Sequence, residues 1–151
     1  MGVRNRWVGA AVVLLATTTL SGCFGSDPYC DAVKEHEETL NSFGAERTDA
    51  AYADYATAAG EIADAAPESI APDWETIAEV TDGVIAAQSE AGVPLENMGD
   101  SDTVAQLSQE QRDALNASYQ AFNDTVEQRR AVVSDIDDQC GVTLEQPEAK
   151  E

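Results

Sequence analysis

The sequence predicts an all-α protein, an antiparallel up-down bundle of about four helices whose two ends are joined by a disulfide. Three observations carry that expectation. Apolar residues recur at spacings of three and four in four separate stretches, as they do in helices that bury one face. No stretch alternates with period two, and β-branched residues are sparse in the four stretches, so the case for a sheet is weak. Cys30 and Cys140 fall near the start of the first stretch and the end of the last, which share one end of an up-down bundle.

The first helix opens at Asp27-Pro28, with Asp as N-cap and Pro where a missing N–H costs nothing. Tyr29, Val33, His36, Leu40 and Phe43 form its stripe, and Gly44 ends it. Thr48-Asp49 starts the second, striped by Tyr52, Tyr55, Ala59, Ile62 and Ala66, where abundant Ala permits close backbone approach; Pro67 stops it. Residues from Pro67 to Pro72 connect to a third helix with acidic residues near its positive end. Its stripe is Trp74, Ile77, Thr81, Val84, Ile85 and Gln88, and Gly92 with Pro94 closes it. The segment Val93 to Leu107 reads as the longest and most mobile loop, with one helical turn around Val104 to Leu107. A capping box at Ser108-Gln109-Glu110-Gln111 begins the fourth helix. Leu115, Tyr119, Phe122, Val126, Arg129, Val133, Ile136 and Cys140 give it a continuous seam, with Gly141 as its C-cap. Leu144 still packs, and Glu145 to Glu151 fray. At about 32 residues, ~48 Å, the fourth helix outreaches the first, about 16 residues and ~24 Å. The Val93 to Leu107 segment must cover its N-terminal half, or the helix kinks or projects.

Ahead of these helices, Arg4 and Arg6 precede an apolar run from Trp7 to Ala16, followed by small residues and Leu20-Ser21-Gly22-Cys23. The order is basic, apolar, small, as in an export signal, and the run is too short for a membrane-spanning helix. The tetrapeptide resembles the lipobox of bacterial lipoproteins. The resemblance implies that residues 1–22 are removed and that the Cys23 thiol receives a diacylglyceryl group, palmitate among its acyl chains. The protein is then anchored on the extracytoplasmic face of the cell membrane. An acidic chain without a basic patch has no electrostatic second signal, so two acyl chains are the anchor it requires. Small, acidic, Ala-rich lipoproteins of high-GC Gram-positive bacteria are similar to it in composition. Removal of 22 residues with two basic and no acidic side chains leaves 129 residues at a net charge of −23. Residues 23–27 form a short tether, 28–144 a single helical domain, and 145–151 an acidic tail.

Lipidation of Cys23 leaves an even pair in an oxidising compartment, and Cys30 with Cys140 reads as one structural disulfide. A metal pair or redox pair is the rival reading. No CxxC occurs, and the single histidine cannot complete a Cys2His2 set.

Composition narrows the function classes. The 29 acidic residues against 8 basic ones, net −21, repel phosphate backbones, which sets the chain against nucleic acid as a partner. The Asp100/Asp102 run fails the calcium-loop pattern at its fifth and sixth positions, and one histidine cannot build a di-iron bundle, so no metal or cofactor is implied. No nucleophile-elbow, phosphate-loop or zinc-protease motif occurs, which points away from an enzyme. Asn116-Ala117-Ser118 and Asn123-Asp124-Thr125 match the glycosylation pattern inside the predicted fourth helix and are read as chance.

Four residues stand out as candidates. His36 shares a stripe with Val33 and Leu40 beside Glu35 and Glu37, as a general base, a ligand or a structural histidine. Arg129 occupies an apolar seam, where it snorkels, pairs with a carboxylate such as Glu37 or Asp54, or contacts an anion in an interhelical pocket. Tyr52 and Tyr55 are a ring pair able to line that pocket. Two functions follow as expectations. The first is a non-enzymatic module binding an envelope protein through a groove flanked by the third and fourth helices and the Val93 to Leu107 loop. The second is a bundle binding a small ligand or a divalent cation.

Overall fold

The computed structural model describes residues 27–144 and is all-α. Cys23, the leader and the tail from Glu145 lie outside the described residues, and so do the expectations that rest on them. Helix α1 spans Pro28–Glu35, with the Asp27 carboxylate accepting the Tyr29 N–H at 3.0 Å. The expected single first helix is divided. His36 sits at φ −98° and ψ 7°, outside helical geometry, and α2 (Glu37–Ser42) restarts with Glu37 and Glu38 at its positive end. Helix α3 (Asp49–Ala65) is capped by Thr48, whose side chain accepts from the Ala51 N–H at 3.1 Å. A single turn in which Ile70 and Ala71 both donate to the Pro67 carbonyl at 3.0 Å leads into α4 (Ala71–Ala91). Pro72 is therefore the second helical residue, not the first. Gly92, at φ 69°, ends α4 in the left-handed conformation that only glycine adopts without strain.

The segment after Gly92 is not the open loop that its Pro, Gly and polar residues suggest. Leu95–Asn97 forms a 3-10 turn and α5 spans Ser101–Ala105, N-terminal to the expected helical turn. The reason is a cap that reads in sequence as an acidic cluster. The Asp100 carboxylate accepts from the Asp102 N–H at 3.0 Å and the Thr103 hydroxyl at 2.9 Å, bonds that hold it below the usual carboxylate range. Val93 and Leu107 are buried with Leu115, so this segment does cover the start of the last long stretch.

That stretch begins with the expected capping box. Ser108 and Gln111 exchange hydrogen bonds at 3.1 and 2.9 Å, opening α6 (Gln109–Asn123). It then breaks at Asp124-Thr125, and α7 (Val126–Asp135) runs on into a π turn, Ile136–Cys140, ended by Gly141 at φ 62°. The continuous seam is thus overturned from Val126 to Val133, whereas Ile136 and Cys140 at its end do join the core. Thr125, Val132 and Ile136 face the core, Val126 is 38% exposed, and Val133 and Arg129 are only half-buried. The inward face has moved by one residue, because the non-helical Thr125 resets the rotation of the turns that follow.

Helices α3 and α4 pair antiparallel. Tyr52 at the start of α3 packs with Val84 late in α4, whereas Ile62 and Ala63 at its end pack with Trp74 and Ile77. Ala56, Ala58, Ala59 and Ala63 are buried, which lets the two backbones approach closely. Trp74, Ile77, Ile62, Val33 and Ile136 are the centre of the main core, each fully buried aliphatic contributing about 1.5–3 kcal/mol. Cys30 and Cys140 are bonded, S–S 2.04 Å, joining α1 to the π turn, and Leu144 packs on the same core. No helix among the described residues is long and apolar enough to cross a membrane.

Candidate functional site

The break between α6 and α7 builds the site. In a continuous helix the Phe122 carbonyl would accept from Val126. Here it accepts instead from the Thr125 N–H at 3.3 Å and the Thr125 hydroxyl at 2.7 Å, the local competition that makes Thr a poor helix-interior residue. Arg129 completes the arrangement: its Nη1 donates to the Phe122 carbonyl and to Thr125 Oγ1, both at 2.8 Å. The guanidinium carbon lies 4.7 Å from the centre of the Phe122 ring, in cation–π range.

Arg129 does not pair with Glu37 or Asp54, as one of the expected readings had it. Among the described residues the carboxylate contacts of basic side chains are His36 with Glu61 and Arg130 with Glu127, and neither involves it. The break supplies the physical reason. A carbonyl released from the helical ladder and a hydroxyl sit within reach of the guanidinium, and the helix end presents partial negative charge.

Phe43 occupies the centre of an aromatic group. It stacks on Tyr55 at 3.7 Å between ring centres and meets Tyr52 edge-on at 5.1 Å and Phe122 at 5.9 Å. The expected Tyr52/Tyr55 ring pair is therefore bridged by a third ring. Burial pushes the Tyr55 hydroxyl up to about 12 and also raises Tyr52, and the nearby Arg129 charge opposes both shifts. Tyr119 is raised as well, chiefly by burial, and its hydroxyl accepts from Gln88 Nε2.

Two depressions flank the Phe43–Phe122 contact. The first, about 760 Å³, lies among Arg47, Tyr52, Leu95, Glu96, Met98 and Tyr119. The second is a trough of about 510 Å³ whose walls include Leu40, Tyr55, Trp74, Val126 and Leu144, with Arg129 and Arg130 on its rim side of α7. Both volumes fall in the range of small-molecule sites. The expected groove between the third and fourth helices is displaced. The loop after α4 does form one wall, but the opposite wall comes from Phe43, Gly44 and the start of α3 instead of α4. Arg47, Arg129 and Arg130, three of the five basic residues between 27 and 144, line the depressions. Glu96 lines the first, and among the described residues no carboxylate lines the second.

His36 is placed elsewhere. Its Nε2 lies 2.7 Å from Glu61 Oε2 on α3, not beside Glu35 or Glu37, and it lines neither depression. It bridges the α1–α2 break to α3. Among the described residues no group of three or more His, Cys, Asp or Glu side chains is placed to hold a metal ion.

Phe43, Thr125 and Arg47 were not singled out by their sequence positions. Phe43 looks like the last stripe residue of a helix. A faint signal for Thr125 exists in Asn123-Asp124-Thr125, three residues that favour caps and turns over helix interiors. No family model matches this chain, and no curated protein or solved structure matches it.

Proposed function

We propose that this protein is a non-enzymatic binding module, held on the extracytoplasmic face of a bacterial membrane by a diacylglyceryl thioether at Cys23. Its binding cleft is the pair of depressions around Phe43 and Phe122. The sequence of the leader and of Leu20 to Cys23 supports the anchor. The observation that carries the cleft is Arg129, a half-buried guanidinium without a carboxylate partner among the described residues, in a chain of net charge −21. Carboxylates outnumber basic groups more than threefold, so leaving this cation unpaired beside an apolar trough reserves it for an incoming group. The occupant is an envelope protein or a small ligand. A divalent cation is disfavoured at the trough, where two guanidinium groups repel it and none of the described residues lining it is a carboxylate.

Photo-crosslinking in intact cells tests this reading. A photoreactive side chain at Asn123, on the wall of the first depression, should give a discrete adduct, while the same group at exposed Glu79 on α4 should not. The adduct mass separates a protein partner from a small molecule. No adduct at Asn123, or equal adducts at both positions, contradicts it.

A further inference from the structure

We infer that the trough beside Arg129 and Arg130 takes up a single-chain amphiphile with an anionic head, the chain lying along Phe122, Val126 and Val133 above buried Trp74 and the head at the two guanidiniums. The inference rests on the reading of the cleft as the binding site and names what that site accepts.

Charge placement carries the argument. The two basic groups both come from α7, so positive charge borders the trough on one side, and the rest of the lining is apolar apart from Gly44 and the Tyr55 hydroxyl. An acidic peptide would bring charges spread along its length and leave most of them on apolar surface, desolvated and unpaired. A molecule with one anionic head and an apolar body meets both parts of the lining. Arg129 engages the Phe122 carbonyl and Thr125 through Nη1 alone, so Nε and Nη2 keep donors for a carboxylate or phosphate. Arg130 bonds Glu127 at 2.9 Å, but both side chains are more than 70% exposed, and such a pair yields readily to a better anion. The chain's overall negative charge works against capture of anions from a distance, so the apolar wall must supply much of the affinity.

The structure also provides the reporter. Trp7 leaves with the leader, so Trp74 is the single tryptophan of the mature chain, and it lies buried directly beneath the trough. The mature chain carrying Cys23→Ala avoids detergent and can be titrated with three probes: dodecyl phosphate below its micelle concentration, dodecyltrimethylammonium and inorganic phosphate. Dodecyl phosphate should change Trp74 fluorescence saturably, the cationic probe should bind at least about ten-fold more weakly, and inorganic phosphate should have no effect.

Arg129→Gln should weaken dodecyl phosphate about ten-fold or more. That variant also loses the bonds across the break, so Arg130→Gln, which leaves the core untouched, is the second arm. It should weaken binding several-fold with an unchanged melting temperature. Equal binding of the two dodecyl probes, binding unaffected by either substitution, or no response to dodecyl phosphate overturns the inference. If the Asn123 adduct forms in cells while dodecyl phosphate does not bind, the ligand class is wrong and the cleft stands. If both fail, both readings fall.

Discussion

Arg129 reaches back seven residues to Phe122, donating to its carbonyl at 2.8 Å while its guanidinium carbon lies 4.7 Å from the centre of the same residue's ring. One side chain thereby satisfies the broken end of α6 and holds the phenyl ring that separates the two depressions. The kink and the cleft are therefore one feature of the chain.

Breaking this relationship should destabilise the protein, because the half-buried guanidinium's bonds to the Phe122 carbonyl and to Thr125 Oγ1 are both lost. Arg129→Met is expected to cost about 1–3 kcal/mol in urea unfolding. Thr125→Val removes the hydroxyl that shares the bond, and the two substitutions should be non-additive by about 0.5 kcal/mol or more in a double-mutant cycle. Strict additivity would show that the two groups act independently.

The shifted inward face of α7 has a sharp consequence. Val132, 2% exposed, should cost about 2 kcal/mol when replaced by Ala, whereas Val126→Ala, at 38% exposed, should stay within about 0.5 kcal/mol. The uninterrupted seam expected from sequence demands a large effect at Val126, so chemical denaturation of the two variants decides which face is buried.

All four tyrosines are raised above their ordinary range, each chiefly by burial. The folded state keeps the phenol proton that the unfolded chain releases near pH 10. The corresponding stability is present in full below about pH 10 and declines as pH rises toward 12, where Tyr55 titrates in the folded protein. Ultraviolet titration should show tyrosinate appearing late, together with alkaline unfolding. A tyrosine ionising near 10 while the circular dichroism stays native would contradict the burial.

The disulfide closes a sequence separation of 110 residues, and its removal by Cys30→Ala/Cys140→Ala should lower stability by about 2–5 kcal/mol. Thermal unfolding that matches the oxidised protein would show that the core alone fixes the ends.

The helices and their partners were legible because they rest on local rules: Asp27 and Thr48 as caps, the Ser108/Gln111 box, Gly92 and Gly141 at positive φ, and apolar spacing along α3 and α4. The site was only half legible. Arg129 stands out as a charge in an apolar pattern, and Tyr52 and Tyr55 as adjacent rings. The breaks at His36 and Thr125 are settled by contacts between elements or by side-chain bonds to the backbone, and periodicity does not record them. His36 answers to Glu61, twenty-five residues away, and Phe43 joins the rings because the chain leaves α2 toward α3. Asp100 shows the opposite difficulty, since a helix cap and an acidic cluster look alike until the backbone amides are in place.

We propose that a lipid-held domain, stitched end to end, carries the cleft to the membrane surface. The intact mass of the protein extracted from its own membranes tests this most directly. The expected species begins at Cys23, carries the diacylglyceryl group there, and lacks the two hydrogens lost in joining Cys30 to Cys140. A mass that retains residues 1–22, or an unmodified Cys23 thiol on the membrane-bound protein, would contradict it.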